Sequence, residues 1–168
     1  MHDSRTTILA GALLLASFVG PAAAANGASD LAGPLRTAAD ELGSAASRSA
    51  DPMKALTEVV GLLSQVAERA RLAPDVRAKI EAATAGLRKD GRSAEPAAVG
   101  QLNEAYAALN GGRRFSFPAG VTDGDRARSA YQREIDRAAA ALRQGRPAEA
   151  VKPILEALML VTTRMEIH

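Results

Sequence analysis

Three groups of side chains in this 168-residue chain have the types and spacing for chemistry. Met165 and His168 stand three residues apart, close enough on one helical face for a thioether and an imidazole to share a soft metal such as Cu(I). A bundle core can also hold haem non-covalently between a Met and a His on opposite helices. Two ligands are too few for a dedicated site, and the last residues of a chain fray. Met165, like Met159, therefore reads as core filler, and no cofactor or metal is expected. The second group is three carboxylate pairs. Asp40-Glu41 falls on the polar face of a helix, Asp123/Asp125 caps one, and Glu134/Asp136 alternates with Arg133 and Arg137 as solvated ion pairs. His2 and His168 are the only histidines, so no Ser-His-Asp set can form, and no glycine-rich phosphate loop follows a strand. Catalysis has no visible carrier. The third group is the stretch "GRRFSFP". Arg113 and Arg114 beside Phe115 and Phe117 have the composition of interface hot spots, and mark a candidate partner-binding loop.

The elements that position these groups are helical. Apolar residues make up 47% of the chain but aromatics only 3%, with no Trp. Ala, Leu and Val dominate, which suits close-packed helices better than a sandwich of β-branched and aromatic strands. The first 25 residues are set apart as a cleaved signal peptide: Arg5 precedes an apolar core from Ile8 to Val19, Gly20-Pro21 breaks it, and Ala22 to Ala25 offer small residues for cleavage. That core is too short to span a bilayer. There is no cysteine, which excludes disulfides, a thiol nucleophile, covalent c-type haem and a lipidated N-terminal cysteine. Export without cysteine fits a bacterial periplasm, and the preference for Arg over Lys fits a GC-rich bacterial genome. A formal net charge of +2 is near balance, and nucleic-acid binding is not expected.

Periodicity and punctuation divide residues 26–168 into five or six helices of one domain. The first begins at Ser29-Asp30, with Leu31, Leu35, Ala38 and Leu42 on one stripe. The second opens on Asp51-Pro52 and buries Leu56, Val59, Val60, Leu63 and Val66. The third runs from about Asp75 to Asp90 with Val76, Ile80, Ala83 and Leu87 inward. The fourth starts around Ser93 and is stopped by Asn110-Gly111-Gly112. The fifth begins with a Thr122-x-x-Asp125 capping box and turns Tyr131, Ile135, Ala138 and Leu142 inward. The sixth starts at Pro147, with Pro153 predicting a kink or a later start. Its apolar residues run almost all round, as expected of a central helix. Short connections predict an antiparallel bundle of three α-hairpins, about 30–72, 75–110 and 123–167. The long connection 111–121 should place Phe115 or Phe117 over the bundle's end.

The last hairpin has an echo. "IEAATAGLRKDGRSAE" from Ile80 and "IDRAAAALRQGRPAE" from Ile135 share an apolar stripe, a basic last turn and a glycine, through duplication or convergence. The spacing Ala138-x-x-x-Leu142-x-x-Gly145-x-x-x-x-Ala150 resembles the helix–turn–helix of tetratricopeptide repeats. The resemblance covers this hairpin alone and lacks the family's Trp, consensus Tyr and 34-residue period. It implies a superhelix of stacked hairpins.

The function these residues point to is non-enzymatic: an exported periplasmic or secreted binding or interaction protein, for instance an accessory in envelope stress, with a protein partner and no membrane span after cleavage. The alternative is a bundle that binds haem, a metal or a small hydrophobic ligand, and an enzyme comes third. The wide apolar face of the sixth helix is compatible with a homo-oligomer.

Overall fold

Among the described residues, four of the six helices open on a proline, and that sets their boundaries. A proline at the first helical position lacks an N–H that would be unpaired there anyway, and its φ is already helical. In the computed structural model, which describes residues 27–45, 52–89, 96–117 and 124–164, the helices are α1 (Ala32–Ala45), α2 (Pro52–Arg69), α3 (Pro74–Lys89), α4 (Pro96–Leu109), α5 (Gly124–Arg143) and α6 (Pro147–Arg164). The expected signal peptide, Thr122, Met165 and His168 lie outside the described residues. Among the described residues there is no strand, and no helix is long and apolar enough to cross a membrane. The described residues are all-α, with six helices in a bundle.

One start differs from the sequence reading. A short helical turn at 27–29 precedes α1, with the Leu31 N–H bonded to the Ala28 carbonyl at 3.2 Å, so α1 proper begins two residues after Asp30. Helix α4 is described from Pro96, and the start expected around Ser93 lies outside the described residues. Helix α6 begins at Pro147 and carries Pro153 within it, so its start is not delayed. Burial outweighs the local cost there: from Ala150 to Val161 every apolar residue apart from Pro153 is buried. Helix α6 packs against α5, α2 and α4 and carries the longest unbroken run of buried apolar residues, Ala157 to Val161, as expected of a central helix.

The directions of the helices follow from a few contacts. The Tyr131 hydroxyl donates to the Ala39 carbonyl at 2.8 Å, Gln132 Nε2 donates to Asp40 Oδ1 at 3.0 Å, and Arg36 Nη2 pairs with Asp136 Oδ1 at 2.6 Å. Numbers fall on α1 as they rise on α5, so the two are antiparallel. Gly43 leaves room for the Tyr131 ring, which would stand 3.3 Å from a Cβ at that position. Lys152, near the start of α6, donates to Asn110 at the end of α4 at 2.8 Å. The Arg69 guanidinium lies against Gly27, 3.8 Å from where a Cβ would stand. One end of the bundle therefore gathers the starts of α1, α3 and α6 and the ends of α2, α4 and α5.

Two consequences correct the sequence reading. Helices α4 and α5 run in the same direction, so the chain between them must return along the bundle. Its first part does so beside α4, which puts Phe115 and Phe117 on the flank and not over the end. The second concerns stacking. In a superhelix each hairpin touches only its chain neighbours. Here α1 packs against α5 and α2 against α6, so the first hairpin meets the third directly. The arrangement is a closed bundle. The echo survives at the level of the stripe, since Ile80, Ala83 and Leu87 are buried in α3 as Ile135, Ala138 and Leu142 are in α5.

Candidate functional site

The sequence Asn110-Gly111-Gly112 ends α4 by a left-handed glycine cap. Gly111 has φ +61° and Gly112 φ +83°, and the Gly112 N–H reaches back to the Ala107 carbonyl at 2.8 Å. The Asn110 side chain serves both sides of the turn. Its amide donates to the Arg113 carbonyl at 3.4 Å, and its oxygen accepts from Lys152 Nζ. The chain thus leaves the cap in a fixed direction. The next residues fold back along α4: the Phe115 N–H donates to Asn103 Oδ1 at 2.9 Å, and its ring meets Tyr106 edge-on at 5.7 Å between centroids. Phe117 stacks edge-on against Phe115 at 5.3 Å. Both Phe rings are half-buried, while Arg113 and Arg114 are exposed. The four residues singled out in the sequence are brought together as expected, but they have unequal parts. The rings hold the loop on α4 and the guanidiniums face solvent.

Beneath this loop lies a cluster that sequence reasoning misread. Glu134 is only 9% exposed, so it is no solvated partner in a surface ion-pair row. Arg137 Nη1 does donate to both of its oxygens, at 3.0 and 3.2 Å, and Arg137 itself is largely exposed. The half-buried Glu156 of α6 is its second charged neighbour. Burial, then the hydrogen bond and charge of Glu156, raise the Glu134 carboxyl above its ordinary range, and Arg137 opposes the rise without reversing it. Glu134 thereby keeps its proton to a higher pH than an ordinary carboxyl does. Tyr106 completes the group. Burial, a hydrogen bond to Glu156, and the charges of Glu156 and Glu134 push its hydroxyl up to about 12. Lys152 sits over the Tyr106 ring, 5.5 Å from its centroid. One signal in the sequence did point here: Glu134 falls three residues after Tyr131 and four before Ala138, on the inward stripe of α5.

Tyr106 and Tyr131 are the only tyrosines of the chain, and both resist ionisation. Tyr131 is raised further than Tyr106, by burial first and then by the charge of Asp40. A spectrophotometric titration of the folded protein should show no tyrosinate near the ordinary value of 10.0 and a first rise at about 12. In denaturant both should titrate together near 10. A native titration near 10 would mean that the rings are solvated.

A second feature lies between α1 and α2. Pro34, Thr37 and Ala38 of α1 face Glu58, Gly61, Leu62 and Gln65 of α2 across an open groove of about 700 Å³. Among the described residues no three His, Cys, Asp or Glu side chains are placed to hold a metal ion. Of the other carboxylate pairs, Asp40 binds Gln132 and Asp125 stands 4.0 Å from Arg128. Compared with protein-family models, with curated proteins and with solved structures, the chain matches none.

Proposed function

We infer that the protein is an exported, non-enzymatic interaction protein of the periplasm or extracellular space that docks a protein partner through the Arg113–Phe117 loop. The observation that supports the reading is the pinned loop itself. Arg113 and Arg114 project from a segment held by the Asn103 hydrogen bond and the Tyr106–Phe115 contact, so little ordering entropy is spent on binding. Arginine beside a half-buried aromatic suits a partner that presents carboxylates around an apolar spot. Cross-linked co-purification from the native host should return a stoichiometric protein. Arg113→Ala with Arg114→Ala should weaken that complex by roughly tenfold or more, the scale of a small hot spot, and leave the melting temperature unchanged. An undiminished complex in the double variant would remove the loop from the interface.

The groove between α1 and α2 favours a second reading, in which the bundle carries a small hydrophobic ligand against Leu62, Ala38 and Pro34. Native mass spectrometry of protein taken from its host distinguishes the two: a bound small-molecule mass belongs to the second reading alone. A visible absorption spectrum tests its haem form in the same sample.

A further inference from the structure

Six arginines converge on one end of the bundle. Arg69 closes α2 and Arg71 follows it, Arg113 and Arg114 follow α4, Arg143 closes α5, and Arg146 precedes α6. All six are exposed. Four carboxylates share this end, Asp30, Glu68, Asp75 and Glu149, and only Glu149 is tied to one of the six, pairing with Arg146 at 2.8 Å. Among the described residues the other five arginines make no ion pair. The whole formal surplus of the chain, +2, is matched by this end alone, before Lys152 is added. The remainder of the surface is close to neutral, so the molecule has a positive pole.

The chain also enters the bundle at that pole. Gly27 lies against the Arg69 guanidinium, so the residues that precede it, including the apolar stretch from Ile8 to Val19, join the fold on the arginine-rich end. We propose that the arginine end, Arg69, Arg71, Arg113, Arg114, Arg143 and Arg146, docks on an anionic phospholipid surface. The guanidiniums come from several separate elements and form a broad face, which fits an extended field of phosphates better than a single acidic peptide. Arginine further suits phosphate by its bidentate geometry. The proposal does not rest on the protein-partner reading, although the two share Arg113 and Arg114.

Flotation of the full chain with phosphatidylcholine vesicles, and with vesicles of phosphatidylcholine and phosphatidylglycerol, tests it. Each basic residue near an anionic surface contributes a factor of about five to binding. Binding to the anionic vesicles should therefore exceed binding to the neutral ones by roughly tenfold or more, and the excess should fall steeply as salt rises. Arg69→Gln, Arg113→Gln, Arg114→Gln and Arg143→Gln combined should abolish the preference while helicity and melting temperature stay unchanged. Arg113→Gln with Arg114→Gln alone, confined to a loop, should remove part of it and covers the case in which the fourfold variant does not fold. Equal binding to both vesicle types would overturn the proposal, since the apolar N-terminal stretch would then account for all of it. A preference undiminished in both variants would overturn it as well, and so would capture by polyglutamate without any preference for anionic vesicles. The vesicles contain no protein, so a failed partner capture leaves this result standing, and the reverse.

Discussion

Leu158→Ala is expected to lower the stability of the fold by about 3 kcal/mol, the middle of the range for a fully buried leucine truncated in a close-packed core. Leu158 is 0% exposed and sits in the unbroken buried run of α6. The helices around it, α2, α4 and α5, belong to three different hairpins, so none can move inward to fill the space without losing contacts elsewhere. The loss should therefore include both the transfer of the side chain and most of the cavity. Urea unfolding should show a lower midpoint at an unchanged slope. Leu62→Ala provides the comparison: Leu62 lines the open α1–α2 groove and is half-buried, so its removal should cost about 1 kcal/mol or less. Equal losses at the two positions would mean that α6 is not the central helix.

Much of this plan is legible in the residues because helix formation and burial are local pattern problems. The stripes of α2, α3 and α5 and the glycine stops at Gly111 and Gly145 all read correctly, since each depends on spacing within one helix. What spacing within a helix does not carry is the relation between hairpins. The parallel course of α4 and α5, which moves Phe115 from the end of the bundle to the flank of Tyr106, depends on how α6 inserts between them. The same limit hid the acidic cluster. Glu134 next to Arg133 and Arg137 has the local sequence of a solvated face, and its neighbours Glu156 and Tyr106 come from helices elsewhere in the chain. A charge on an inward stripe is the residue to inspect first, because a buried carboxyl must be paired, protonated or both.

The Glu134–Glu156 contact makes stability depend on pH in a defined direction. The folded state raises the Glu134 carboxyl above its ordinary 4.5, so it binds the proton more tightly than the unfolded chain does. Stability from this group is complete below 4.5 and declines as pH rises through the folded-state value, after which it is level. Most paired carboxylates give the opposite slope. Glu134→Gln keeps a hydrogen-bond donor toward Glu156 and removes the buried charge. At neutral pH it should stabilise the fold by about 1 kcal/mol, the low end of the cost of an imperfectly compensated buried group, because the exposed Arg137 pair that it gives up contributes only a few tenths of a kcal/mol. Near pH 4 the wild type is itself protonated, and the gain should vanish. Glu156→Gln separates the two causes. It leaves Glu134 buried but takes away the neighbouring charge, so the downward slope above 4.5 should shrink without disappearing. Denaturant unfolding of the three proteins across this range provides the measurement. A gain from Glu134→Gln that is the same at pH 4 and pH 7 would show that the fold does not raise the Glu134 carboxyl, and that the contact is ordinary packing.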